Sequence, residues 1–119
     1  MAKKNYDFTF AQREEGFDDH IEFSIRGYNN LLDDIVNLSR NFVEDETNVV
    51  DIGCSTGKLT EAFIRGNQSF CKHANYIGIE LAPSFFPELD ARLDRMKDEL
   101  YWANVNFEKK DVRNYQFKN

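Results

Sequence analysis

Three carboxylates and one glycine turn carry most of the chemistry this sequence could perform. Asp51 lies in the short apolar run Val49-Val50-Asp51-Ile52, and Gly53-Cys54-Ser55-Thr56-Gly57 follows at once. Glu80 ends a second apolar run, Tyr76-Ile77-Gly78-Ile79-Glu80, and Asp111 follows a third, Val105 to Lys109. A glycine turn lets backbone N–H groups approach a ligand closely, because glycine has no Cβ to obstruct them. A carboxylate ending the next strand is suited to accept hydrogen bonds from both hydroxyls of a ribose. Acids that end successive strands stand along the C-terminal edge of a parallel sheet, where ligands of such sheets bind.

Two other chemistries share this turn's spelling. A phosphate loop needs four residues between its glycines and a Ser or Thr after its lysine. Here Gly53 and Gly57 enclose three residues, and Leu59 follows Lys58. A hydrolase elbow would place Ser55 on a strained strand-to-helix turn and needs a later histidine to activate it. His20 precedes Ser55 and His73 precedes the second apolar run, so neither is placed for that task. Cys54 has no base near it in sequence and reads as a small loop residue. Lys58 reads as the first exposed residue of a helix.

The elements that must hold these residues follow from hydrophobic periodicity. Tyr28, Leu31, Leu32, Ile35, Leu38, Ser39 and Phe42 recur at helical spacing and predict one apolar face. Gly27 interrupts the pattern, so two helices are expected, over Asp18–Ile25 and Tyr28–Phe42. Val49–Ile52 predicts a strand buried on both faces. Lys58–Arg65 predicts a helix with Leu59, Ala62 and Phe63 inward and Gly66 as its C-cap. Tyr76–Glu80 predicts a second buried strand. Ser84–Tyr101 predicts a helix striped by Phe86, Leu89, Leu93, Met96 and Leu100, with Pro87 tolerated in its first turn. Val105–Lys109 alternates and predicts a third strand near a sheet edge. Strand–helix–strand–helix–strand at these lengths implies an α/β fold with a parallel sheet.

Composition bounds the function. The chain has 119 residues, 41% of them hydrophobic and 14% aromatic, enough for one domain with one core. Residues 1–46 carry eleven acids against five bases, and residues 47–119 carry ten of each. No basic patch beyond Lys109-Lys110 is present, so direct nucleic-acid binding by this chain is not expected. No apolar run reaches the roughly 20 residues of a membrane span, and the polar start is unlike a secretory signal. Cys54 and Cys71 lack a C-x-x-C spacing and fit a reduced, cytoplasmic protein. Residues 1–16 read as a polar arm before a domain at 17–119.

Together these motifs resemble class I S-adenosylmethionine-dependent methyltransferases. Their first motif, a hydrophobic pair, an acid and then G-x-G-x-G, is similar to Val49 through Gly57, with Ser55 replacing the middle glycine. "IGIELAPSF" and "VNFEKKDVRNY" look like the second and third motifs. A narrower resemblance covers roughly residues 17–115. "FDDHI", "SIRGYNNLL" and "DIGCSTG", in that order, are similar to carboxy-S-adenosylmethionine synthases of tRNA wobble-uridine modification.

The resemblance implies S-adenosyl-L-methionine as cofactor. Gly53, Cys54 and Ser55 would line its methionine half, with Gly57 closing the motif. Asp51 would hold the turn and attract the ammonium, or serve simply as a turn acid. Glu80 would take the ribose hydroxyls, or stand as an exposed strand-end carboxylate. Asp111 and Val112 would address adenine. Leu81 would pack on adenine or fill core, and Tyr28 would close over the carboxylate end or be a core aromatic. No catalytic residue and no metal ligand is marked, and the acceptor is not named.

The family's sheet orders seven strands 3-2-1-4-5-7-6. This chain would build strands 3-2-1, the N-terminal half, leaving the first strand as an open edge. The chain is then expected to be the N-terminal half of a longer enzyme, or to complete its sheet through a second copy or a partner chain, unless the helical lead-in covers that edge. The function expected is methyl transfer, with a carboxy-S-adenosylmethionine synthase-like enzyme or a non-catalytic binding module as alternatives.

Overall fold

The computed structural model describes residues 16–117. The expected polar arm therefore lies outside the described residues, except for Gly16, which caps the first helix. Helix α1 spans Phe17–Ser24 and α2 spans Tyr28–Ser39, parted at Gly27, whose φ of 73° favours glycine. The expected continuation of α2 to Phe42 does not form. Ser39 Oγ donates to Val36 O at 2.6 Å and Asn41 Nδ2 donates to Leu38 O at 3.1 Å, so side chains take over the terminal carbonyls. The inward face of α2 also differs from the expected stripe. Val36 is its buried residue, while Leu31 and Leu38 stay exposed.

Strand β1, Asn48–Ile52, leads through the glycine turn to α3, Lys58–Asn67. Strand β2 spans Asn75–Glu80. The helix expected over Ser84–Tyr101 is split into a 3₁₀ turn, Pro83–Phe85, and α4, Phe86–Glu99, with Pro87 in its opening turn. Strand β3, Asn104–Lys109, is followed by a 3₁₀ turn, Val112–Asn114. The sheet is parallel in the order β1-β2-β3, as expected, with β1 and β3 at its edges. Its register puts the first residues of the strands, Asn48, Asn75 and Asn104, in one row. Asn75 Nδ2 donates to Asn48 Oδ1 at 3.2 Å, and Asn104 Nδ2 donates to Asn75 Oδ1 at 2.5 Å.

Helices α3 and α4 bury one face of the sheet. Ile64, Leu89, Met96 and Leu100 pack there against Tyr76 and Phe107. Two glycines make the packing possible. A Cβ on Gly78 would lie 2.6 Å from the Phe107 ring, and one on Gly66 would overlap Val36. Gly66 is therefore not the expected C-cap. It lies inside α3, where α2 packs closely, and Gln68 ends the helix. The innermost residues of α3 are Thr60, Ile64 and Asn67, and not the expected Leu59, Ala62 and Phe63.

Strand β1 is half-buried, not buried on both faces, and Ile52 is 59% exposed. Its position at the sheet edge accounts for this. The lead-in helices do not seal that edge. Helix α2 packs chiefly on α3, and an apolar cavity of about 410 Å³ remains between Leu38, Phe42, Val49 and Phe63.

Candidate functional site

The C-terminal edge of the sheet carries two small cavities that share Gly53. One, of about 170 Å³, is lined by Tyr28, Asp51, Gly53, Cys54 and Ser55, with Phe17, Asp18, Thr56, Lys58 and Leu59 completing its wall. The other, of about 160 Å³, is lined by Ile52, Gly53, Ile79, Glu80, Leu81, Lys110, Asp111 and Val112. Nine of the ten positions marked from the sequence line one cavity or the other. The exception is Gly57. It is buried, with φ 81°, and a Cβ there would lie 2.7 Å from Phe107 Cζ. Its task is close packing of the turn onto the core. A larger cavity, about 580 Å³, lies against the Asn48–Asn75–Asn104 row and includes none of the marked positions.

The glycine turn is held by the end of β2. Gly53 N and Cys54 N both donate to Ile79 O, at 2.8 and 3.0 Å. Ser55 adopts φ 52°, an uncommon conformation for a residue with a side chain. Its backbone N–H donates to Glu80 Oε1 at 2.8 Å, while Ala82 N donates to Glu80 Oε2 at 2.8 Å. Glu80 thus ties the two loops that follow β1 and β2. At 8% exposure it is not the exposed strand-end carboxylate that stood as the alternative.

Asp51 lies half-buried at the mouth of the first cavity, and its Oδ2 accepts from Thr60 Oγ1 at 2.8 Å. Burial raises its carboxyl above the usual range, against the lowering effect of that bond, and the Glu80 charge adds to the rise. The same surroundings push the Cys54 thiol up to about 12, chiefly by burial, with Asp51 and Glu80 contributing. Cys54 therefore offers its backbone to the cavity and no thiolate, in line with its reading as a loop residue. Burial also raises the Tyr28 hydroxyl, partly offset by Lys58. Tyr28 is half-buried beside the cavity, 5.3 Å from Lys58 Nζ to the ring centroid.

At the far end, Asp111 caps the 3₁₀ turn by accepting from Arg113 N at 2.9 Å. The Arg113 guanidinium pairs with the same carboxylate and holds it down at about 2. Leu81 is 61% exposed, which removes its core-filling alternative.

Several residues of this edge carry no local signal in the sequence. Asp18 on α1 accepts from Thr56 Oγ1 at 2.6 Å and from Arg92 Nη2 at 3.1 Å. Arg92 Nε also donates to Thr56 O at 2.6 Å, so helix α4 braces the turn from behind. The "FDDHI" stretch containing Asp18 stood out by resemblance, yet its partners lie 38 and 74 residues away. Lys58 is not the exposed residue expected. It is half-buried, lines the first cavity and is ion-paired with Glu22.

The strand order and turn geometry define the Rossmann-like α/β fold of class I S-adenosylmethionine-dependent methyltransferases, of which the described residues hold three parallel strands. An S-adenosylmethionine-dependent methyltransferase from Clostridium acetobutylicum superposes with a TM-score of 0.55 at 19% identity, over 91% of this chain and 38% of that one. Magnesium protoporphyrin IX methyltransferase from Synechocystis PCC 6803, solved with bound SAM, gives 0.54 at 17% identity, over 96% and 47%.

In sequence the chain is similar to carboxy-S-adenosyl-L-methionine synthases. That of Vibrio parahaemolyticus is 30% identical over 115 residues, covering 95% of this chain and 44% of the relative. That of Colwellia psychrerythraea is 34% identical over 97 residues, covering 81% and 38%. The chain thus spans less than half the length of these curated relatives. No family model matches it. Among the described residues, no helix is long and apolar enough to cross a membrane.

Proposed function

We propose that this chain forms the cofactor-binding part of an S-adenosylmethionine-dependent methyltransferase, acting on an acceptor not yet identified. The observation that carries the reading is the pair of cavities joined at Gly53. A methionine half fits against Asp51 and the Gly53–Ser55 backbone. An adenosine half fits between Glu80, Leu81, Asp111 and Val112. Each Glu80 oxygen takes one backbone donor, and a carboxylate has about four acceptor positions, so ribose hydroxyls find room beside those bonds. Leu81, exposed and lining the second cavity, would lie against adenine, with Val112 beside it. Asp111 would present an oxygen to the exocyclic amine while Arg113 holds the carboxylate in place.

What these residues contribute is position. Methyl transfer gains most from holding a sulfonium methyl in line with its nucleophile, and a cofactor gripped at both ends of Gly53 has its sulfur fixed near the turn. Similarity to carboxy-S-adenosyl-L-methionine synthases supports a second reading, in which S-adenosylmethionine is itself the molecule modified, in service of tRNA modification. The free thiols Cys54 and Cys71 support a cytoplasmic setting. Among the described residues β1 pairs with β2 alone, and its other edge suits completion by a strand from a second copy or a partner chain.

Isothermal titration with S-adenosylmethionine and S-adenosylhomocysteine tests the reading, with both expected to bind and Glu80→Ala to weaken both. No heat at millimolar ligand would leave only a non-catalytic scaffold. Mass spectrometry of turnover products then separates the two activities, S-adenosylhomocysteine marking methyl transfer and a carboxylated S-adenosylmethionine marking the synthase.

A further inference from the structure

We infer that Lys58 reads the carboxylate of the ligand's amino-acid end, and that Glu22 occupies Lys58 in its place until the ligand arrives. The inference rests on the proposed binding of S-adenosylmethionine and adds to it a residue that selects the zwitterionic end.

The first cavity holds charges of both signs, and they are unequally available. Asp18 has both oxygens engaged, one by Thr56 and one by Arg92. Asp51 engages Oδ2 with Thr60, while Oδ1 takes no hydrogen bond among the described residues. Lys58 is the cation among the described residues lining this cavity. An α-amino acid brings an ammonium and a carboxylate on one carbon. Asp51 and Lys58 answer them with opposite charges across a space of about 170 Å³. Without Lys58 the charged side chains of the wall would be Asp18 and Asp51, both repelling a ligand carboxylate.

Lys58 already has a carboxylate on it. Its Nζ is ion-paired with Glu22 of α1, and it lies 5.3 Å from the centroid of the Tyr28 ring at the start of α2. Helix α1 is eight residues long, with Gly16 before it and Gly27 opening α2 after it, at φ of 72° and 73°. It is tied to the turn through Asp18 as well, so Glu22 can release Lys58 while Asp18 keeps α1 docked. Helix α3, which Lys58 begins, has no side-chain cap. Its first N–H groups are therefore left for an anion brought to the lysine. The exchange is even in charge, since one carboxylate leaves Lys58 as another arrives. The ligand's carboxylate has the further attraction of its own ammonium being held by Asp51.

The test uses the full chain and two ligands, S-adenosylmethionine and its decarboxylated analogue, which keeps the adenosine, sulfonium and ammonium. Lys58→Gln is expected to weaken S-adenosylmethionine about tenfold, the scale of one lost charge-assisted hydrogen bond, and to leave the analogue unchanged. Lys58→Arg restores the preference, and Glu22→Gln tightens S-adenosylmethionine alone. Equal weakening of both ligands by Lys58→Gln, or weakening of neither, overturns the inference while the proposed function stands. Failure of the wild-type chain to bind either ligand overturns both.

Discussion

Replacing Glu80 by glutamine should unfold this protein more easily even with no ligand in the tube. The carboxylate accepts from Ser55 N and Ala82 N, both at 2.8 Å, and is 8% exposed. A glutamine side chain keeps one oxygen and places an NH₂ against the other backbone donor. One charge-assisted bond is lost, ~1.5–3 kcal/mol, and the survivor becomes a weaker neutral bond. Ser55 is also released from the contact that holds its φ of 52°, a conformation costing ~1 kcal/mol or more. The combined loss is ~2–4 kcal/mol. For a domain of this size that corresponds to a fall of roughly 8–16 °C in melting midpoint. Thermal melts followed by circular dichroism, with urea titrations to confirm an unchanged slope, measure it. Leu81→Ala, at an exposed neighbouring position, serves as the control. A midpoint within about 2 °C of wild type would refute the argument. It would mean that Glu80 serves the ligand alone and that the two loops hold each other by other means.

Two further predictions concern the frame behind the site. Glu61 is raised by burial but receives bonds from Arg95, Arg65 and Arg92, which hold its carboxyl at about 2, below the unfolded value of 4.5. The stability this group supplies is therefore complete above about pH 4.5 and lost as pH falls toward about 2. Glu61→Gln should flatten that acid limb in urea midpoints measured across the range, and an unaltered limb would show that other carboxylates set it. Gly66→Ala should cost ~1–3 kcal/mol by driving a methyl into Val36, and Val36→Ala in the same chain should recover part of it. Strict additivity of the two changes in denaturant titrations would contradict the packing of α2 on α3.

Much of this architecture was legible because it is written in local period. The apolar runs at Val49–Ile52 and Tyr76–Glu80 and the alternation of Val105–Lys109 each became a parallel strand within one residue of expectation. The acids near their ends fell on one edge because parallel strands all point the same way, so their C-terminal ends share one edge of the sheet. What local period could not carry was the identity of distant partners. Nothing around Asp18 announces Thr56 and Arg92, and nothing around Gly66 announces Val36 from another helix. The packing of Gly57 on Phe107 was hidden for a related reason. Glycine in a turn serves a ligand or a neighbouring ring equally well, and here Phe107 claims it. The end of α2 escaped because Ser39 and Asn41 compete for carbonyls that apolar spacing does not register.

The row of Asn48, Asn75 and Asn104 works as a datum line for the opposite edge of the sheet. Parallel strands slip in steps of one residue, and each step moves a strand end by ~3.3 Å and turns every side chain to the other face. Amide bonds from Asn104 to Asn75 and from Asn75 to Asn48 are made only when the three strands start level. Levelling the starts fixes the ends. Asp51 lies opposite Gly78, Ile52 opposite Ile79, and Glu80 opposite Lys109. The spacing of the carboxylates that would grip a ligand is thus gauged from the far side of the sheet, by three side chains that never meet it.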